Sequence, residues 1–175
     1  MRKNKTIIRK SLRQDEDRGA EFSNCEKYRY RLWRVWDESK PMLVVIGLNP
    51  STATEEKDDP TVRRCIGYAR DHGKGGLSML NIFAFRATNP ADMKSQKDPV
   101  GPRNNEAIIS ETRRAIETGG EALCAWGGHG AHMGRSSAVR KILDGMPNIK
   151  CLGFTKSGEP VHPLYQRKDA KFISL

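Results

Sequence analysis

The amino-acid sequence predicts an α/β fold, a three-layer sandwich in which helices cover both faces of a central four-stranded parallel sheet. Two observations carry this expectation. From residue 41 onward, apolar strand-sized runs alternate with helix-like segments, an order that right-handed crossovers turn into parallel strands. The first such run, Met42-Leu43-Val44-Val45-Ile46-Gly47, is continuously apolar, as a strand covered on both faces requires.

The elements follow in chain order. Residues 1–20 hold Arg2, Lys3, Lys5, Arg9, Lys10 and Arg13, then Asp15-Glu16-Asp17, with few apolar side chains to anchor them. They are expected to form a flexible basic N-terminal arm or an edge element. Residues 21–175 are expected to form one domain, because a chain of 175 residues fits single-domain size and can bury a real core. Tyr28 to Trp36 alternates aromatic or apolar with basic residues, a period-two pattern that suits a strand with one buried face. The same basic and aromatic mixture could contact nucleotides by stacking and charge. After the run ending at Gly47, Asp58 and Asp59 supply capping carboxylates for a helix over Pro60–Asp71, a reading preferred to that of a catalytic acid or base. A second strand is expected over Leu77–Phe85, a helix over Arg103–Thr118, a third strand over Glu121–Trp126, a helix over Ser136–Asp144, and a fourth strand over Asn148–Gly153.

Lys plus Arg number 31 against 21 Asp plus Glu, a net charge of +10. That excess favours a polyanionic partner such as nucleic acid, because cations that neutralise phosphates release condensed counterions. Its plainer reading is a generic basic surface. No stretch approaches the roughly 18 apolar residues of a membrane span, and no apolar segment follows the basic Met1–Lys5, so a cytoplasmic protein without a membrane partner is expected. Cys25, Cys65, Cys124 and Cys151 are scattered without CxxC pairs and read as reduced thiols, Cys124 and Cys151 as core residues. With no HExxH motif, and no HxE combined with CxxC, neither a metal nor a cofactor is expected. The sequence carries no signal of oligomeric state.

Each expected strand runs into a distinctive motif, and in an open parallel sheet the ligand crevice lies beyond the carboxyl ends of the strands. In Gly47-Leu48-Asn49-Pro50-Ser51, glycine permits close backbone approach, and the Asn49 amide can donate, accept and so orient a water. An Asx turn explains the same residues without a ligand. Asn81 stands in an apolar strand, where a buried amide needs partners; near a strand end a base edge can be one. Arg86 follows that strand. Gly127-Gly128-His129-Gly130 can present backbone N–H groups to an anion, or make a tight turn only. His162 stands beside Pro163 in a loop that also carries Lys156, and can stabilise a developing anion or simply cap a turn.

Tyr28–Trp33, Gly47–Thr52, Asp59–Cys65, Asn81–Thr88, Asp98–Pro102 and His162-Pro163-Leu164-Tyr165 together resemble the bacterial and phage family called domain of unknown function 1643. That resemblance covers roughly residues 20–165. More distantly, the layout resembles the uracil-DNA glycosylase superfamily. The resemblance implies a fold of that type, in which a first-strand G-[I/M]-N-P-G motif positions the attacking water. Gly47-Leu48-Asn49-Pro50-Ser51 is similar, with Ser51 in place of the last glycine. It further implies that Asn81 reads a base edge and that His162-Pro163 stabilises the departing base, with Leu164 where the superfamily has serine. Asn49 and His162 are then the catalytic candidates. Gly47, Leu48, Pro50, Ser51, Asn81, Phe83, Arg86, Gly128, His129, Lys156 and Pro163 are the substrate-binding candidates, Phe83 and Phe85 serving as candidate aromatic platforms. The implied activity is hydrolysis of an N-glycosidic bond in DNA, as in base repair. Hypermodification of a base, or a non-catalytic module that keeps the fold, are the alternatives.

Overall fold

Local capping and the spacing of apolar residues explain where the regular elements fall. In the computed structural model, which describes residues 5–13 and 15–175, the strands are β1 (Thr6–Lys10), β2 (Asp17–Ser23), β3 (Arg29–Val35), β4 (Met42–Gly47), β5 (Gly76–Asn81), β6 (Glu121–Cys124), β7 (Ile149–Cys151) and β8 (Ile173–Ser174). The α-helices are α1 (Pro60–Asp71), α2 (Pro90–Lys94), α3 (Asn104–Glu117) and α4 (Arg135–Leu143). Helix α1 starts where the sequence dictates: the Asp59 carboxylate accepts from the Val62 N–H at 2.9 Å, and Pro60 fills the first turn, where a missing N–H does no harm. Its buried residues Val62, Cys65, Tyr68 and Ala69 form one stripe against the sheet.

The protein is α/β, but its sheet is mixed and has eight strands, in the order β1-β2-β3-β5-β4-β6-β7-β8. Strand β4 pairs in parallel with β5 and β6, and β6 with β7. Strands β1, β2 and β3 are antiparallel and attach to β5, while β8 runs antiparallel to β7. The expectation of a four-stranded sheet is corrected in this respect: β1, β2 and β8 carry little hydrophobic periodicity, and the period-two pattern of β3 marks a strand without saying which sheet it joins. Of the two expectations for segment 1–20, its described residues fit the edge element and not the free arm. Thr6–Lys10 pairs with Gly19–Ser23 as the outer hairpin of the sheet, and residues 1–4 and Gln14 lie outside the described residues.

Helices lie on both faces. Leu43 and Val45 face a core shared with Val62, Cys65 and Tyr68 of α1, whereas Val44 and Ile46 face one shared with Ile108 of α3 and Val139 of α4. This alternation is why β4 reads as an unbroken apolar run.

Strand β3 departs from the one-sided burial expected of it. With β2 on one side and β5 on the other it is internal, and Arg29 and Arg34 are buried with 2% and 0% of their surface exposed. Arg34 Nε donates to Asp58 at 2.9 Å and Arg18 Nη2 to the same oxygen at 3.0 Å, while Arg34 Nη2 reaches the Thr54 carbonyl at 2.6 Å. These bonds pin the segment between β4 and α1. Asp58 is therefore an ion-pair partner, and the capping role belongs to Asp59.

Strand β5 ends at Asn81, four residues short of the expected Phe85. Ile82 and Phe83 instead turn back over the end of β4, their N–H groups donating to the Gly47 and Leu48 carbonyls at 2.9 Å each. A continuous apolar run cannot distinguish a buried strand from a buried turn.

Candidate functional site

The ends of β4, β5 and β6 and the loop after β7 surround a crevice of about 760 Å³, within the range of small-ligand sites. Gly47, Leu48, Asn49, Ser51, Asn81, Gly128, His129 and His162 line it. The remaining candidates lie elsewhere. Phe83 is fully buried beside the His132 ring, 5.8 Å away, and packs in the core. Arg86 donates to the Glu26 carbonyl at 3.1 Å and lies over the Phe22 ring at 4.9 Å. Pro163 opens a short 3-10 turn and is buried, Lys156 projects to solvent, and the Pro50 carbonyl accepts from the Ala87 N–H at 2.9 Å. For Phe83 the correction has a simple cause: an aromatic ring in an apolar run is removed from water by the core. Phe85 is partly buried against the same core and meets Tyr28 edge-on at 5.9 Å.

Asn81 ends β5 in register with Gly47 at the end of β4. A Cβ on Gly47 would stand 2.9 Å from Asn81 Oδ1, so glycine leaves the space that the amide occupies. The backbone beyond is held by Asn104, whose Nδ2 donates to the Asn81 and Ile82 carbonyls at 2.9 and 3.0 Å, and by Arg135 Nε, which donates to Ile82 at 2.6 Å. Asn81 is only 4% exposed, yet its Nδ2 has no hydrogen-bond partner among the described residues. A buried donor left unmade costs about 1–3 kcal/mol, and an acceptor on a ligand recovers it. Gly47→Ala is expected to push this amide aside and weaken ligand binding about tenfold or more while the protein stays folded, as measured by titration calorimetry beside a thermal melt.

Asn49 Nδ2 donates to the Pro50 and Ala87 carbonyls at 3.1 and 2.8 Å, which fixes the amide and leaves Oδ1 as its remaining acceptor. The Asx-turn reading of this residue thus describes only part of its bonding.

His162 is positioned by the loop after β7. The Gly127 N–H donates to the Pro160 carbonyl at 2.8 Å and Val161 N–H to Gly153 at 3.0 Å. Glu159 in the same loop accepts from Trp126 Nε1 at 2.7 Å and from the Ser136 hydroxyl. His162 Nδ1 accepts from the Leu164 N–H at 3.3 Å, which assigns the remaining ring proton to Nε2. Burial holds the imidazole below its usual pKa, opposed by the charge of Asp59, so the ring is neutral at pH 7 with Nε2–H as a donor.

Sequence reasoning did not single out Arg29 or Tyr165 as lining residues, and preferred a capping role for Asp59 over that of an acid or base. Arg29 is hidden by the period-two pattern that points basic residues outward; Tyr165, in the His162-Pro163-Leu164-Tyr165 motif, was the more accessible signal. Its ring is 84% exposed and lies 5.6 Å from that of His162. At the rim, Lys94 Nζ is 3.0 Å from His129 Nδ1. Gly128–Gly134 is a kinked 3-10 segment, interrupted at His132 and Met133, rather than a straight helix start.

Among the described residues no three His, Cys, Asp or Glu side chains cluster to hold a metal, and no helix is long and apolar enough to cross a membrane. A second hollow of about 700 Å³ lies between β3 and α3, where Arg31 Nε and Glu111 pair at 2.8 Å. Most of its charges are paired within it, Lys10 with Asp17 and both Arg31 and Arg114 with Glu111. Comparison with curated proteins and with solved structures returns no match. The model of a family described as a protein of unknown function, DUF1643, matches residues 29–164, most of the chain, and the protein belongs to that family.

Proposed function

We propose that the crevice receives a nucleobase unstacked from nucleic acid, DNA in the first instance, and that the protein hydrolyses its N-glycosidic bond. The observation that carries this is the convergence of Asn49, Asn81 and His162 on one crevice, with the Asn81 amide buried and unpartnered. The parallel run β5-β4-β6-β7, with helices on both faces, supports the finer likeness to the uracil-DNA glycosylase superfamily.

Asn81 Nδ2 donates to a carbonyl on the base and selects its edge. As the bond from the sugar to the base nitrogen breaks, its electron pair passes to the base, and His162 Nε2–H donates to the base oxygen where negative charge collects. Asn49 Oδ1 accepts from a water whose oxygen then bonds to the sugar carbon. An amide is too weak a base to take the proton, so Asn49 positions the water and the proton leaves to solvent. Extrusion of the base costs about a few kcal/mol. The exposed Tyr165 ring at the crevice mouth offers a surface for stacking. The net charge of +10 supports contact with the phosphate backbone.

Incubation with oligonucleotides containing uracil and a panel of modified bases, followed by alkali, is expected to cut the strand at the processed position. Asn49→Ala is expected to abolish most of that cleavage and leave binding intact. Salt-sensitive binding without alkali-labile sites on any substrate would identify a non-catalytic module; a modified base recovered on an intact strand would identify a base-modifying enzyme.

A further inference from the structure

Three arginines are buried around the segment that joins β4 to α1, and they are not alike. Arg34 and Arg18 each reach the Asp58 carboxylate within hydrogen-bond distance, although Arg18 Nε, like that of Arg29, is buried without a partner. Arg29 has no carboxylate within ion-pair distance among the described residues. Its Nη1 donates to the Ala53 carbonyl at 2.7 Å, and its Nε is buried without a partner. Asp59 is the carboxylate that acts on it, at longer range, while one Asp59 oxygen is engaged by the Val62 N–H. Burial and the charges of Arg86 and Arg34 pull the Arg29 pKa down to about 10, so it remains a cation at neutral pH. Among these three, Arg29 is the one that lines the crevice.

An uncompensated buried cation is strongly unfavourable, and neighbouring charges normally neutralise it. Here Asp58 is taken by Arg34 and Arg18, Asp59 acts on Arg29 from beyond ion-pair distance, and a second buried donor, Asn81 Nδ2, lines the same crevice with no partner. Two unfilled donors, one of them charged, call for an acceptor that carries negative charge.

We infer that Arg29 makes the inner part of the crevice an oxyanion site, so that the physiological ligand bears a carboxylate or phosphate group where it meets Arg29. The inference rests on the nucleobase reading for the remainder of the ligand and not for its charge. A planar guanidinium binds either oxyanion through paired N–H bonds. The two sources differ in where the charge resides, on the base or on a nucleotide phosphate.

Small anions test the charge directly. Phosphate or acetate at millimolar concentration and constant ionic strength is expected to raise the melting temperature of the wild type above its value in chloride, and to move the Asn81 side-chain amide signal in NMR. Both effects are expected to disappear in Arg29→Gln and to persist in weakened form in Arg29→Lys. If Arg29→Gln does not fold, the wild-type NMR titration and Arg29→Lys decide the matter. Absence of an amide shift in the wild type, or an undiminished effect in the folded Arg29→Gln protein, overturns the inference.

Ligand pairs then locate the charge: 5-carboxyuracil against uracil for a base-borne carboxylate, and deoxyuridine 5′-monophosphate against deoxyuridine for a phosphate. The charged member of one pair is expected to bind about tenfold tighter or more, the worth of one charge-assisted hydrogen bond. Small-anion effects without binding of any base leave the oxyanion site standing and remove the nucleobase reading. Equal binding within both pairs, without small-anion effects, does the reverse.

Discussion

Asp58→Ala is expected to destabilise the protein by about 3–5 kcal/mol, because removal of one partner leaves buried charge uncompensated. The Arg34 and Arg18 side chains are 0% and 4% exposed, and both donate to one oxygen of Asp58. Arg18 keeps a second partner in Glu16 at 2.7 Å, so most of the loss falls on Arg34. Urea unfolding measures the change, and replacing both partners separates its origin. Arg34→Met combined with Asp58→Ala is expected to recover much of the stability, since an apolar side chain in that space no longer needs a counter-charge. A loss below about 1 kcal/mol in the single variant would place this cluster among ordinary surface pairs. The consequence reaches the site, because Arg34 also holds the Thr54 carbonyl in the segment that runs from the crevice to Asp59.

His162→Ala is expected to slow base release about 10²–10³-fold, the effect of deleting one donor aimed at developing charge. Substrate binding should change far less, because the donor acts most strongly when the base becomes an anion. Single-turnover kinetics beside equilibrium binding checks this split; equal losses in both would give His162 a binding role only. The pH dependence has a fixed sign. Burial lowers the His162 pKa in the fold, so the unfolded chain takes up the proton first as pH falls. The stability from the neutral ring is full above its ordinary pKa of about 6.5, and is lost as pH falls from there through the depressed folded value. Substitution by asparagine should flatten the stability profile in that acidic window.

Where local chemistry decides, the sequence was sufficient. The bounds Met42–Gly47 and Pro60–Asp71 follow from a bounded apolar run and from the Asp59-Pro60 start, and the structure has the same limits. Where partners decide, it was not. Nothing local marks Thr6–Lys10 as a strand, since its hydrogen bonds go to β2 and its pattern is mostly polar. Strand β3 became internal because that hairpin covers its far side, and the segment between β4 and α1, which Arg29 and Arg34 bond, turned outward-reading arginines into buried ones.

The crevice divides in the same way. Asn49, Asn81 and His162 are each legible as polar residues at the ends of apolar runs, and glycine at 47 as a place of close approach. The empty hydrogen-bonding capacity of Asn81 and the unpaired cation of Arg29 are not, because both depend on which groups fail to arrive nearby.

By itself, then, the sequence determined the α/β class, the starts and stops of β4 and α1, and the chemical types of the polar groups at the strand ends. Those features depend on neighbours within a few residues, where capping, propensity and hydrophobic period act. Tertiary structure alone decided the width of the sheet, the burial of Arg29 and Arg34, and the removal of Phe83 to the core. Burial and ion pairing are set by segments distant along the chain, and no local pattern encodes them.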